Sequence, residues 1–164
     1  MPMWIIHAPE GVYSVEDKKK LTEEITQIYV EFVDLPKFYV VVRFDEYPAD
    51  SMWLGGEPAN DFVRFVVDHI ARRLDPTYWE FAINIFAERL QPFTTDRGLR
   101  TEIHVDETPI DLWRVNGLKP PAPYTEAEKR WAEDNAPSAY DADEAVCTYS
   151  SQTSSMFVAP TPSS

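Results

Sequence analysis

A short internal repeat is the feature that most restricts how this chain can fold. The segment Asp-Glu-Tyr-Pro at residues 45–48 recurs as Asp-Glu-Thr-Pro at 106–109, an offset of 61 residues (106 − 45). In each half an apolar strand pattern comes first, a helical pattern follows, and a second strand pattern runs into the repeated segment. The sequence therefore predicts two tandem β-α-β units within the first 117 residues.

The individual elements follow from residue spacing. Segments rich in apolar and β-branched residues predict four strands, at about 3–7, 38–44, 62–69 and 100–105. Apolar residues at helical spacing predict helices at about 15–33 and 76–91, and Ser14 with Asp17 has the spacing of a capping box. Because β-α-β crossovers are right-handed, both helices should lie on one face of a four-stranded sheet. The predicted fold class is α/β (α+β), with fused tandem β-α-β units.

This arrangement leaves one face of the sheet without a helix. The strand segments are rich in apolar residues, so we expect that face to be too apolar to remain in water. Copies of the same sheet are the simplest cover, which predicts a symmetric oligomer.

The character of the chain changes after Gly117. Residues 118–164 begin with a proline-rich linker, continue with a predicted short helix at 125–135, and end in a polar segment rich in Ser, Thr and Pro. Trp131 is the side chain by which that helix could dock. We therefore predict a folded domain at 1–117 and a C-terminal extension at 118–164 whose last part is disordered.

Charge and composition exclude several function classes. The chain has 15 Lys and Arg against 28 Asp and Glu, a formal net charge of −13, which argues against binding nucleic acid or anionic membranes. No apolar run reaches the roughly 20 residues of a transmembrane helix, and no signal peptide is apparent. With Cys147 as the single cysteine and no ligand spacing around His7 or His69, we expect neither a disulfide nor a metal site. These features predict a cytoplasmic protein.

Pro2 is the main candidate for a catalytic residue. Initiator methionine is usually removed before proline, which would leave Pro2 as a secondary amine at the start of a strand. An N-terminal amine has a pKa of about 7.7–8. Apolar neighbours or a nearby arginine would lower that pKa, because they disfavour the cation. Such an amine can act as a general acid, a general base or a nucleophile, although a Met-Pro start by itself is common.

Taken together, these landmarks resemble a known family. Pro2 at the start of a strand, the doubled β-α-β order, Gly55 with Gly56, the two repeated strand ends and Gly117 are similar to the tautomerase superfamily, and most of all to its cis-3-chloroacrylic acid dehalogenase-like subgroup. The resemblance spans residues 2–117. It implies a homotrimer, no cofactor, Pro2 as the catalytic amine and a small carboxylate as the substrate.

Several positions depart from the dehalogenase pattern. Tyr29 stands where those enzymes have a histidine, and His104 stands where they have a tyrosine. Their pair of substrate-gripping arginines corresponds to Ala71 and Leu74, and their water-activating glutamate corresponds to Val115.

The missing glutamate argues against dehalogenase or hydratase activity, because no base is left to activate water. Keto–enol tautomerisation needs only an amine to move a proton and a cation to hold a carboxylate or an enolate. Arg72 or Arg73 could bind the substrate carboxylate from a position next to those of the missing arginines, or both could be surface charges. His104 either lines a pocket or lies on a polar face, and Tyr29 is either a substrate contact or a core tyrosine.

Two functions remain open from the sequence. The first is an isomerase, a cofactor-independent tautomerase-like enzyme acting on a small keto acid or a related unsaturated carboxylate. The second is an inactive or weakly active protein of the same fold that serves as a binding or structural module, which the departures at Ala71, Leu74 and Val115 favour.

Overall fold

A computed structural model of the protein describes residues 1–70 and 74–145. Ala71, Arg72 and Arg73 lie outside these residues, and so does the end of the predicted tail, residues 146–164, which includes Cys147. The strands and helices have the following bounds: β1 Pro2–Pro9, α1 Val15–Val33, β2 Val41–Tyr47, β3 Trp53–Leu54, β4 Glu57–Pro58, β5 Phe62–Ile70, α2 Trp79–Leu90, β6 Arg100–Thr108 and α3 Glu126–Asp134.

The main sheet confirms the predicted fold class. Its strand order is β2-β1-β5-β6. The pairs β1–β2 and β5–β6 are parallel, as two β-α-β units require, and β1 and β5 join the units as an antiparallel centre. Trp4 of β1 is fully buried and meets both helices, with ring centroids 6.4 Å from Tyr29 and 5.2 Å from Phe86. Both helices therefore cover one face of the sheet.

The first helix begins and ends where the sequence indicates. Ser14 accepts a hydrogen bond from the Asp17 backbone amide and Asp17 accepts one from the Ser14 amide, so the capping box is confirmed. The chain leaves the helix at Asp34 in a left-handed conformation, with φ of 48°. The buried stripe of the helix contains Leu21, Ile25, Ile28 and Tyr29.

Some predicted boundaries are corrected by local turns. The strand expected from residue 38 begins at Val41, because Lys37–Tyr39 form a 3-10 turn. The second helix is preceded by a 3-10 turn at Pro76–Tyr78, where Asp75 accepts a hydrogen bond from the Thr77 amide. The sequence did not indicate the hairpin of β3 and β4 around Gly55 and Gly56, whose φ angles of 63° and 89° favour glycine.

The helix-free face of the sheet is more polar than predicted. Met3, Ile5 and Val66 form a half-buried apolar strip along its centre. Strand alternation also places charged side chains on this face, namely Arg43, Asp45, Arg64, Asp68, Glu102 and Asp106. The expectation of an apolar uncovered face is therefore wrong. The predicted oligomer has to rest on other grounds.

The C-terminal helix α3 packs on the core. Trp131 is fully buried, with ring centroids 6.2 Å from Phe38 and 6.3 Å from Tyr39, and its indole nitrogen donates to the Ser138 carbonyl at 2.8 Å. Among the described residues, no helix is both long and apolar enough to cross a membrane.

Candidate active site

Pro2 lies at the start of a central strand, where a cavity opens between the sheet and the helices. The proline is buried, and the cavity has a volume of about 40 Å³. Most of the wall is apolar. Its lining residues are Met1, Pro2, Ile28, Tyr29, Phe32, Val33, Leu35, His69, Ile70, Leu74 and Phe86. A proton-transfer group at this position would be surrounded mainly by apolar side chains.

Met1 is one of the residues that line the cavity. Its carbonyl accepts a hydrogen bond from the Ile70 amide at 2.9 Å, and its amine donates to the Ile70 carbonyl. Removal of Met1 would enlarge the cavity and free both backbone groups of Ile70 beside the Pro2 nitrogen.

His69 is the functional candidate that the sequence reasoning missed. It lies directly across from Pro2 in the antiparallel β1–β5 pair. The side chain is 8% exposed, and burial together with the N-terminal amine lowers its pKa from 6.5 to about 4. The imidazole is therefore neutral at physiological pH. Alternation along β5 could have placed His69 on the same buried face as Phe65 and Val67, but only the pairing of β5 with β1 places it beside Pro2.

Tyr29 lies in the core and forms a hydrogen bond with His69. Its hydroxyl is 2.7 Å from Nε2 of His69 and accepts a hydrogen bond from the indole nitrogen of Trp4 at 2.9 Å. Burial raises the pKa of Tyr29 above its ordinary value, so the phenol stays protonated. The structure places Tyr29 in the cavity wall and in the core at once.

His104 lies away from Pro2 within one chain. It is paired with Val66 on the helix-free face, and its Nε2 is 3.6 Å from the Asp106 carboxylate. Its Nδ1 is buried and, among the described residues, has no hydrogen-bond partner. A contact between His104 and the cavity could therefore come only from a neighbouring copy of the chain.

The segment that leads from β5 to α2 contains the remaining predicted residues. Arg72 and Arg73 lie outside the described residues, so the proposed cationic grip has no observed position. Leu74 lines the cavity, and its amide donates to the Glu107 carboxylate at 2.7 Å. Glu107 is in turn the β6 neighbour of His69, so Pro2, His69 and Glu107 form a row across three strands.

Metal chemistry has no visible basis in this part of the chain. Among residues 1–70 and 74–145, no group of three or more His, Cys, Asp or Glu side chains is placed to hold a metal ion. What the cavity does offer is an amine position, a neutral imidazole and an apolar wall, which suit proton transfer on a small organic molecule.

Comparison with known proteins agrees with this geometry. A family model described as "Putative oxalocrotonate tautomerase enzyme" matches residues 1–136. Native RhCC from Rhodococcus jostii RHA1 is 46% identical, with a TM-score of 0.82 over 84% of this chain and 99% of that one. A probable enzyme from the thermophilic fungus Aspergillus fumigatus is 37% identical, with a TM-score of 0.80 over 85% and 98%.

A more distant match bears on the predicted subgroup. N1, a member of the cis-3-chloroacrylic acid dehalogenase family, is 16% identical, with a TM-score of 0.65 over 81% of this chain and 97% of that one. At this identity the match shows the fold alone. Comparison with curated proteins gave no match. From the family model and the two closer structures, the chain belongs to the oxalocrotonate tautomerase-like family of the tautomerase superfamily.

Proposed function

We propose that this protein is a cofactor-independent tautomerase-like enzyme in which Pro2, freed by removal of Met1, moves a proton on a small keto acid. The observation that carries the proposal is the burial of Pro2 at an apolar cavity beside a neutral histidine. An apolar wall disfavours the ammonium form of the amine, so a useful fraction would be unprotonated near neutral pH. General acid–base catalysis by such a group contributes about 10²- to 10⁴-fold in rate.

The backbone of Ile70 supports this role. In the full chain its amide donates to a carbonyl oxygen that is attached, through one carbon, to the Pro2 nitrogen. Once Met1 has gone, a substrate oxygen near the amine could take the place of that carbonyl. A donor at this position would stabilise negative charge as the enolate forms.

The substrate carboxylate needs a positive partner, since the chain has a net charge of −13. Arg72 and Arg73 are the proposed source of positive charge. They immediately precede Leu74 in the sequence, and Leu74 lines the cavity. His104 would reach a substrate only from an adjacent subunit. Assembly as a homotrimer is part of the proposal, and a fused 4-OT protein of this fold, 21% identical, is an asymmetric trimer.

A second function is a binding or structural module of the same fold. It is favoured by one observation: no lysine or arginine is among the described residues that line the cavity. This reading predicts retained Met1, or no turnover by the wild-type protein across a panel of keto acids.

Replacement of Pro2 separates the two functions. Mass spectrometry of the purified chain should show that Met1 is absent. The Pro2→Ala variant should then lose about 10²-fold or more of the rate of phenylpyruvate enol–keto conversion. Pro9→Ala is the matched control, since it lies at the far end of the same strand and should keep wild-type activity. Full activity in Pro2→Ala would refute the enzyme proposal.

A further inference from the structure

His69 and Pro2 are closer neighbours than their separation in sequence suggests. Met1 and Ile70 exchange both of their backbone hydrogen bonds, so the next pair along the strands, Pro2 and His69, is a non-hydrogen-bonded pair. Side chains approach each other most closely in such pairs. Both residues line the cavity, and any molecule beside the Pro2 nitrogen would therefore also meet the imidazole of His69.

The hydrogen bonds around Tyr29 determine which nitrogen of His69 carries the proton. The Trp4 indole can only donate, so it uses the Tyr29 oxygen as an acceptor. The hydrogen of the Tyr29 hydroxyl then goes to Nε2 of His69, at 2.7 Å. The opposite arrangement would leave the hydrogen of a buried hydroxyl unpaired, at a cost of about 1–3 kcal/mol, whereas Nδ1 of His69 is not among the fully buried unpaired atoms of the described residues. His69 is consequently protonated on Nδ1.

The Nδ1–H group is the unused donor of this network. Among the described residues, no group forms a hydrogen bond with Nδ1 of His69. The ring is held from the helix side by edge contacts with Tyr29 and Phe86, with centroid distances of 5.6 Å and 6.2 Å. A neutral imidazole fixed in this way can donate a hydrogen bond to a substrate oxygen without changing its own protonation.

We propose that His69 is a second catalytic residue, whose Nδ1–H binds the reacting oxygen of an enolisable carbonyl compound with an apolar substituent. The inference rests on the proposed role of Pro2 and adds a side-chain donor to the reacting oxygen, beside the Ile70 backbone amide. Tyr29 is the positioning residue that fixes the tautomer of His69. The apolar substituent would lie against Ile28, Phe32 and Phe86 of the cavity wall.

The step balances without a cofactor. The Pro2 nitrogen takes a proton from the carbon next to the carbonyl, and the electron pair of that C–H bond forms the C=C bond. The π pair of the carbonyl moves to oxygen, where the hydrogen bond from His69 stabilises the charge. The Pro2 ammonium then returns the proton to oxygen, which gives the enol and restores both side chains.

Nitrogen NMR tests the tautomer independently of activity. In protein labelled with ¹⁵N-histidine, His69 should show a protonated Nδ1 and an unprotonated Nε2 at pH 7. The Tyr29→Phe variant should lose this preference, because it lacks the hydroxyl that donates to Nε2. A wild-type His69 protonated on Nε2 would overturn the inference.

Kinetics test the role of the donor. His69→Leu removes both nitrogens and should lower kcat for phenylpyruvate enol–keto conversion by about 10²- to 10³-fold, the usual effect of losing one oxyanion donor. His69→Asn keeps an N–H near the Nδ1 position and should recover part of that loss. Tyr29→Phe should lower kcat by about tenfold with little change in KM. His7→Leu, on the helix-free face, is the matched control and should match wild type.

The outcomes for the two proposals are distinguishable. If Pro2→Ala is inactive while His69→Leu keeps the wild-type kcat, the role of His69 is refuted and the role of Pro2 stands. If Pro2→Ala is fully active, the proposed function is refuted, whatever the result for His69→Leu. Equal losses in His69→Asn and His69→Leu, together with the Nε2 tautomer by NMR, would assign His69 a packing role only.

Discussion

Replacement of Tyr29 by phenylalanine tests the buried hydrogen-bond network without disturbing the shape of the core. The change removes one oxygen that serves both the indole nitrogen of Trp4 and Nε2 of His69. Each buried group left without a partner costs about 1–3 kcal/mol, so the two set a range of about 2–6 kcal/mol. The cavity beside His69, at about 40 Å³, is large enough to admit a water molecule. We therefore expect the lower half of the range, about 2–4 kcal/mol.

Urea unfolding at a fixed protein concentration measures this loss, since the free energy of unfolding of an oligomer depends on concentration. Tyr13→Phe is the matched control. Tyr13 is also buried, but among the described residues its hydroxyl makes one hydrogen bond, to the Phe93 carbonyl at 2.9 Å, so about 0.5–1.5 kcal/mol should be lost. A Tyr29→Phe variant no less stable than Tyr13→Phe would refute the network.

Two further measurements address His69 and helix α3. The pKa of His69 falls from 6.5 in the unfolded chain to about 4 in the folded one, a difference of about 2.5 units or roughly 3 kcal/mol. The unfolded chain binds the extra proton in this window, so stability should be lost as the pH falls from 6.5 to 4. His69→Asn should lack that part of the pH dependence in urea unfolding, and identical pH profiles would contradict the assignment. Trp131→Ala should cost about 3–5 kcal/mol, whereas the exposed Trp53→Ala should change stability by less than about 0.5 kcal/mol. Equal stability of these two variants would show that α3 does not belong to the core.

Much of the fold is readable from the sequence because local rules determine it. The capping box at Ser14 and the helical stripe that includes Leu21 and Ile25 fix the first helix almost to the residue. The repeat at 45–48 and 106–109 reveals the two β-α-β units. The turn at Lys37–Tyr39 was missed because its aromatic residues also suit a strand.

The site is less readable because it depends on register between strands far apart in sequence. Nothing local to His69 relates it to Pro2, and the antiparallel pairing of β1 with β5 alone brings them together. The pairing of β5 with β6 places His104 on the helix-free face. Sequence alternation alone could not decide between this face and a pocket. The charged residues of that face were not predicted, because the high apolar content of the strand segments suggests strands that are buried on both faces of the sheet.

The most direct test of the central claim is an NMR titration of the Pro2 nitrogen in the purified ¹⁵N-labelled protein. The account predicts a secondary amine that titrates below the ordinary N-terminal pKa range of about 7.7–8, because the cation would be buried against an apolar wall. An amide nitrogen that does not titrate would mean that Met1 is retained. That result, or a pKa at or above the ordinary range, would contradict the assignment of Pro2 as the catalytic amine.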